Sequence, residues 1–118
     1  MEQTIAGRHI LIVEDEFFVA DSLKMYLESL DAVVIGPAAS VDAAIELVAT
    51  SDRLDWAVLD INLRGKKAYP VAEALSARGV PFVFMTGYGA DSIPEPFASA
   101  PRCTKPFEIA QLVRLLVR

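Results

Sequence analysis

In this chain three carboxylates, a hydroxyl and an amine follow directly on short runs that read as strands. Ile10-Leu11-Ile12-Val13 leads into Glu14-Asp15-Glu16, and Trp56-Ala57-Val58-Leu59 leads into Asp60. Phe82-Val83-Phe84-Met85 leads into Thr86, and Arg102-Cys103-Thr104 into Lys105-Pro106. Gathered at one rim, Glu14, Asp15 and Asp60 repel one another. Two unit charges roughly 4 Å apart interact by about 1 kcal/mol in water and about 4 kcal/mol at an effective dielectric of about 20. A divalent cation removes that cost, and an all-oxygen, carboxylate-rich set that keeps waters suits Mg2+. Such an ion shields an incoming phosphoryl group and stabilises its transfer. Asp60, alone at a central strand end, is the candidate nucleophile, and the pair Glu14-Asp15 better suits the metal. Lys105 then neutralises one phosphoryl oxygen, and the Thr86 hydroxyl donates to another.

The elements that must position these groups alternate along the chain. Short continuous apolar runs suit strands of a parallel sheet covered by helices on both faces, and ligands bind beyond the C-terminal ends of such strands. Strands are expected at about His9–Val13, Ala32–Ile35 (ending at Gly36-Pro37), Trp56–Asp60, Phe82–Thr86 and Arg102–Thr104. The first helix is expected from Glu16 to Leu30, with Ala20, Leu23, Leu27 and Leu30 on its buried face. Ser40 N-caps a second helix over Val41–Ala49, Pro70 opens a third that stops at Gly79, and another runs over Glu108–Val117. A polar loop, Asn62 to Lys67, joins the third strand to the third helix. Pro94, Pro96 and Pro101 leave at most a turn or two for a fourth helix, around Ala90–Ile93. Repeated βα units with right-handed crossovers give an α/β, doubly wound parallel sheet.

Composition sets the outer limits. The 118 residues suit one domain, with residues 1–7 expected to be flexible, and 53% hydrophobic content suffices for a continuous core. A net charge of −5 argues against nucleic-acid binding. The lone Cys103 favours a reducing compartment and reads as a small buried hydrophobe. No apolar run approaches the roughly 20 residues of a membrane span, and the N-terminus lacks an export signal. A cytoplasmic domain is expected.

The ordered set of motifs resembles the receiver domain of two-component response regulators over essentially the whole chain. Val13-Glu14-Asp15-Glu16 looks like that family's acidic pair, and Leu59-Asp60-Ile61-Asn62 like its phospho-acceptor segment. Thr86 and Lys105-Pro106-Phe107 resemble its switch hydroxyl and Lys-Pro-Phe motif. The resemblance implies a five-stranded sheet of order 2-1-3-4-5, the flavodoxin-like (CheY-like) arrangement. It also implies Mg2+ as cofactor, a metal ligand in the Asn62 backbone carbonyl, and a cis peptide between Lys105 and Pro106. Phe84-Met85-Thr86-Gly87-Tyr88 is similar to a subgroup with a Phe-Ala-Thr-Gly-x-Tyr signature, many of whose members are stand-alone receivers. Two departures stand out. Leu63-Arg64-Gly65-Lys66-Lys67-Ala68-Tyr69 replaces the usual Met-Pro-x-Met-Asp-Gly-like loop, and Arg102 holds the position of the aromatic switch residue on strand five.

Blander readings exist for each part. Asp15 or Glu16 alone reads as a helix cap, His9 as structural, Lys66-Lys67 as a solvated loop that could steer an acidic partner, and Gly87-Tyr88-Gly89 as too incomplete for a dinucleotide loop. The conjunction of acids with Asp60, Thr86 and Lys105 outweighs these readings and favours a phospho-accepting switch, expected to be no enzyme beyond weak self-catalysed phosphotransfer and dephosphorylation. The resemblance implies a histidine kinase or phosphotransfer protein as donor, expected to dock on the stripe Phe18, Ser22, Met25 and Ser29 of the first helix. Arg102 cannot fill an apolar slot without stranding its charge, so Tyr88 is the aromatic expected to follow Thr86 in switching. The alternative is a pseudo-receiver, a phosphorylation-independent interaction module.

Overall fold

The computed structural model describes residues 5–86, 97, 101–104 and 114. Strands β1 (His9–Val13), β2 (Val33–Ala38), β3 (Trp56–Asp60), β6 (Phe82–Thr86) and β7 (Arg102–Thr104) alternate with helices α1 (Phe17–Ser29), α2 (Val41–Thr50) and α3 (Tyr69–Ala77). Two short strands, β4 (Asn62–Leu63) and β5 (Lys66–Lys67), lie between β3 and α3. The main sheet has the order β2-β1-β3-β6-β7 and is parallel throughout. With the β4–β5 pair set aside, that is the expected 2-1-3-4-5 order. The expected fourth helix lies outside the described residues, as do the peptide bond between Lys105 and Pro106 and the helix over residues 108–117 apart from Arg114, which is helical and exposed.

Side-chain alternation along the strands divides the core in two. Ile10 and Ile12 of β1, Trp56 and Val58 of β3, and Val83 and Met85 of β6 pack against Leu23 and Leu27 of α1. Leu11, Val13, Ala57, Leu59 and Phe84 point the other way, against Ala44 and Val48 of α2 and Val71 and Leu75 of α3. Both faces are covered, so these strands carry apolar residues at every position rather than at alternate ones. Each fully buried aliphatic side chain contributes about 1.5–3 kcal/mol. The second face adds an aromatic cluster in which Tyr69 stacks on Phe97 with centroids 5.9 Å apart, and Phe84 meets Tyr69, Phe82 and Phe97 edge-on.

Local signals explain most boundaries. Ser40 accepts a hydrogen bond from the Ala43 N–H at 3.1 Å, which caps α2 as expected. Pro70 sits in the first turn of α3. Arg78, past the end of α3, donates to the Val48 and Asp52 carbonyls at 2.6 and 2.9 Å, tying α3 to the end of α2. Of the stretch 1–7, expected to be flexible, Ile5 is buried in the α1-side core, and Gly7 donates to the Asp31 carbonyl at 2.8 Å.

Two expectations are corrected. The second strand starts later than Ala32 and does not stop at Gly36-Pro37 but continues to Ala38, with a register irregularity opposite Leu11–Val13 and a cis Gly36–Pro37 bond. Proline is tolerated because β2 is an edge strand, where a missing donor leaves no ladder partner bare. Gly36 has φ +93, and a Cβ there would lie 2.8 Å from the Ala38 nitrogen and 3.0 Å from the Ile12 carbonyl oxygen, so only glycine fits. The polar loop after β3 is instead a hairpin, with Asn62 paired to Lys67 and Leu63 to Lys66. Its two-residue turn, Arg64 (φ 51) and Gly65 (φ 83), has the positive φ at both positions that matches the natural twist of a tight hairpin.

Candidate functional site

The acids of β1 and β3 meet because those strands are neighbours and end at the same rim. In register, Val13 lies beside Leu59, so Glu14 and Asp15 emerge next to Asp60. Glu14 and Asp60 are buried and Asp15 is half-buried. Each offers a carboxylate oxygen, and the three oxygens lie within 4.8 Å of one another.

Backbone amides hold all three. The Glu16 N–H donates to Glu14 Oε2 at 3.1 Å, the Asn62 N–H to Asp60 Oδ1 at 3.2 Å, and the Arg64 N–H to Asp15 Oδ2 at 2.9 Å. Neither Asp15 nor Glu16 acts as a side-chain cap of α1, whose N-cap, Glu16, makes no such bond. The capping explanation for these acids is therefore set aside. Hydrogen bonds to carboxylates are charge-assisted and directional, so the amides fix where the oxygens point as well as lowering the cost of crowding them.

The remaining expected site residues fall into two groups. Asn62 adjoins Asp60, and its side-chain Oδ1 accepts from Lys67 Nζ at 2.7 Å. Thr86 closes β6 in register with Thr104, and Arg102 pairs with Phe84 across the β6–β7 ladder. The side chains of Thr86 and Arg102, and all of Tyr88, Lys105 and Pro106, lie outside the described residues.

Phe18, Ser22, Met25 and Ser29 all face solvent, with Phe18 79% and Met25 64% exposed. The opposite stripe of α1, Ala20, Leu23 and Leu27, is buried. Phe17, absent from the expected stripe, is 71% exposed and meets Phe18 edge-on at 5.5 Å. Two adjacent aromatics at a helix start were its only sequence signal. The role of Arg64 was also hidden, because its link to Asp15 runs through the backbone and depends on the hairpin. A groove beside the rim is lined by Glu14, Asp15, Phe17, Lys24, Pro37 and Arg64.

Comparison with known proteins agrees with this geometry. The chain matches the model of the response regulator receiver domain over residues 10–116. It is similar to the solution structure of SdrG from Sphingomonas melonis Fr1, at 40% identity over 99% of this chain and 98% of that one, with a TM-score of 0.79. It is also similar to the BeF3-activated conformation of SdrG from Pseudomonas melonis Fr1, at 43% identity over 96% and 98% of the two chains and a TM-score of 0.80. A response regulator receiver protein from Sinorhizobium medicae WSM419 shares the fold at 24% identity over 94% of each chain, with a TM-score of 0.76. No curated protein matches the chain. With acids of two adjacent strands gathered at the C-terminal rim of a sheet in this order, and a match running from the first strand to residue 116, the chain belongs to the family of response regulator receiver domains.

Proposed function

We propose that this receiver is a phospho-accepting switch in which Asp60 takes a phosphoryl group from a histidine kinase or phosphotransfer protein, with Mg2+ bound at the acid rim. The observation that carries the reading is the convergence of Glu14, Asp15 and Asp60, two of them buried, with oxygens within 4.8 Å of one another. That donor set fits Mg2+, being hard, all oxygen and too negative to be favourable without a counter-charge. Glu14, Asp15 and Asp60, with the Asn62 backbone carbonyl, are the candidate ligands. When bound, the ion supplies positive charge against the phosphoryl oxygens.

Within the chain, the Asn62 amide orients the Asp60 carboxylate through Oδ1. A carboxylate oxygen of Asp60 bonds to phosphorus as the bond from phosphorus to the donor imidazole nitrogen breaks. Lys105 and Thr86 carry the roles the family resemblance gives them, an ammonium and a hydroxyl toward the phosphoryl oxygens, with Tyr88 and Arg102 in the coupling outward. Later attack by water returns the aspartate, so the chain is a self-limiting switch rather than a turnover enzyme. The added charge of about −1.5 to −2 is the signal.

The donor docks on the exposed stripe of Phe18, Ser22, Met25 and Ser29, extended by Phe17. Solvent-facing aromatic and Met side chains over a well-packed buried stripe favour that use. The similarity of Phe84-Met85-Thr86-Gly87-Tyr88 to a subgroup rich in stand-alone receivers supports a cytoplasmic role that does not run through DNA binding. Among the described residues no helix is long and apolar enough to cross a membrane.

Incubation with acetyl phosphate and Mg2+, read by intact mass, tests the reading. Wild type should gain one phosphoryl group, while Asp60→Asn, or wild type in excess EDTA, should gain none. Full labelling of either would refute the assignment, and unlabelled wild type would point to a pseudo-receiver.

A further inference from the structure

The β4–β5 hairpin carries three cations, Arg64, Lys66 and Lys67, beside an acidic rim in a chain of net charge −5. Arg64, Lys66 and Lys67 are all exposed. The ion pairs among the described residues are Lys24–Glu28 and Arg53–Asp55, so none of the hairpin cations is matched there by a carboxylate. The hairpin that carries them is held in place. Leu63, beside the turn, is buried, and at the hairpin's base the Ala68 N–H donates to the Ile61 carbonyl at 2.8 Å, closing it. The Arg64 amide is bonded to Asp15, and the Lys67 ammonium to the Asn62 side chain two residues after Asp60. Two tethers therefore fix the hairpin to the rim, one at each acidic strand end. Arg64 also lines the groove shared by Glu14 and Asp15.

We infer that this hairpin selects the phosphodonor by charge, favouring the more anionic donors at the acceptor rim. The inference rests on Asp60 being the acceptor. With Mg2+ offsetting the acids of the rim, the surrounding charges sort the donors. Cations on a hairpin tethered to that rim attract a donor in proportion to its negative charge, so they favour a more negative donor over a less negative one. Protein donors fitting this field carry acidic side chains around the phosphohistidine.

Two small donors isolate the charge. Acetyl phosphate is a dianion near neutral pH, and phosphoramidate is a zwitterion with a single net negative charge. With acetyl phosphate, an Asp60 oxygen bonds to phosphorus while the P–O bond breaks and acetate leaves with its electron pair. With phosphoramidate the P–N bond breaks and ammonia leaves with that pair.

The experiment compares initial labelling rates by intact mass, with saturating Mg2+, for wild type and two triple variants. Arg64→Gln with Lys66→Gln and Lys67→Gln removes the charge, whereas Arg64→Lys with Lys66→Arg and Lys67→Arg keeps it. At about 20 mM ionic strength the neutral variant should be labelled roughly fivefold more slowly by acetyl phosphate and about twofold more slowly by phosphoramidate, both differences vanishing by about 0.5 M salt. The charge-preserving variant should keep the wild-type ratio of the two rates. Equal slowing with both donors at every salt concentration would overturn the inference, as would no slowing at all. A charge-preserving variant that behaves like the neutral one would do the same, since shape would then be responsible. A labelled wild type with an unchanged donor ratio defeats this inference alone, whereas a wild type labelled by neither donor defeats the acceptor reading with it.

Discussion

Strands β1 and β3 each contain two regions of opposite energetic sign. Ile10–Val13 and Trp56–Leu59 are buried throughout, and their apolar area drives folding. One residue further on, the same strands deliver Glu14, Asp15 and Asp60 to a shared rim where like charges crowd within 4.8 Å. A domain stable by only about 5–15 kcal/mol can hold such a rim if the core outweighs it and the acids keep hydrogen-bond donors. Each of the three acids accepts a backbone N–H, from Glu16, Arg64 and Asn62. Amides are donors without net charge, so these bonds steady the carboxylates without themselves cancelling their charge. Core and rim are thus continuous in sequence but separate in purpose: one stabilises, and the other is kept costly because it has chemistry to do.

The comparison is tested first at its strong end. Phe84, fully buried, sits at the centre of the aromatic cluster with Tyr69, Phe82 and Phe97. Phe84→Ala should cost about 3–5 kcal/mol in urea unfolding, with little change in the denaturant slope. A loss below about 1 kcal/mol would show that the core does not carry the rim.

Helix α1 sharpens the contrast within a single element. Leu23 is fully buried and Met25, two residues on, is 64% exposed. Leu23→Ala should cost about 2–5 kcal/mol, whereas Met25→Ala combined with Phe18→Ala should change stability by no more than roughly 0.5 kcal/mol per site. The double variant should still be labelled by acetyl phosphate at the wild-type rate but accept phosphate more slowly from a protein donor. Equal slowing in both assays would mean that the exposed stripe supports the fold or the site rather than docking.

The strong regions were also the legible ones. Apolar runs such as Ile10–Val13 and Val83–Met85 betray doubly covered strands, and strand ends in a parallel sheet share an edge, so the meeting of Glu14, Asp15 and Asp60 followed from Asp60 being the last residue of its run. Strand β2 was misjudged because Gly36-Pro37 is a strand-ending signal, and only an edge position with an irregular register lets the strand continue. The hairpin left almost no trace. Asn62-Leu63 and Lys66-Lys67 have no apolar alternation, and a lone Arg64-Gly65 is a weak turn signal until both residues are seen at positive φ. With the hairpin hidden, the amide that holds Asp15 was hidden too. Backbone donors carry no residue-type signature, so a site built on them is half-legible: its acids can be read, its supports cannot.

The smallest expected effect decides whether the rim is costly at all. Asp60→Asn keeps a side-chain Oδ1 to accept the Asn62 N–H while removing one charge from the three. Two of the three repulsions disappear, and one, between Glu14 and Asp15, remains. Against that gain stand the weaker attraction of a neutral side chain to every partner of Asp60 and the new amide group in a buried position. The balance in EDTA should be a variant more stable than wild type by up to about 1 kcal/mol, measured by urea unfolding at low salt. Mg2+ should invert the order, because an ion that binds only the folded chain stabilises it by about 1.4 kcal/mol at tenfold excess over its Kd, and the variant has lost a ligand. A variant less stable than wild type in EDTA, with the same response to Mg2+, would mean that Asp60 contributes to folding like any core residue, and the opposition between core and rim would not hold.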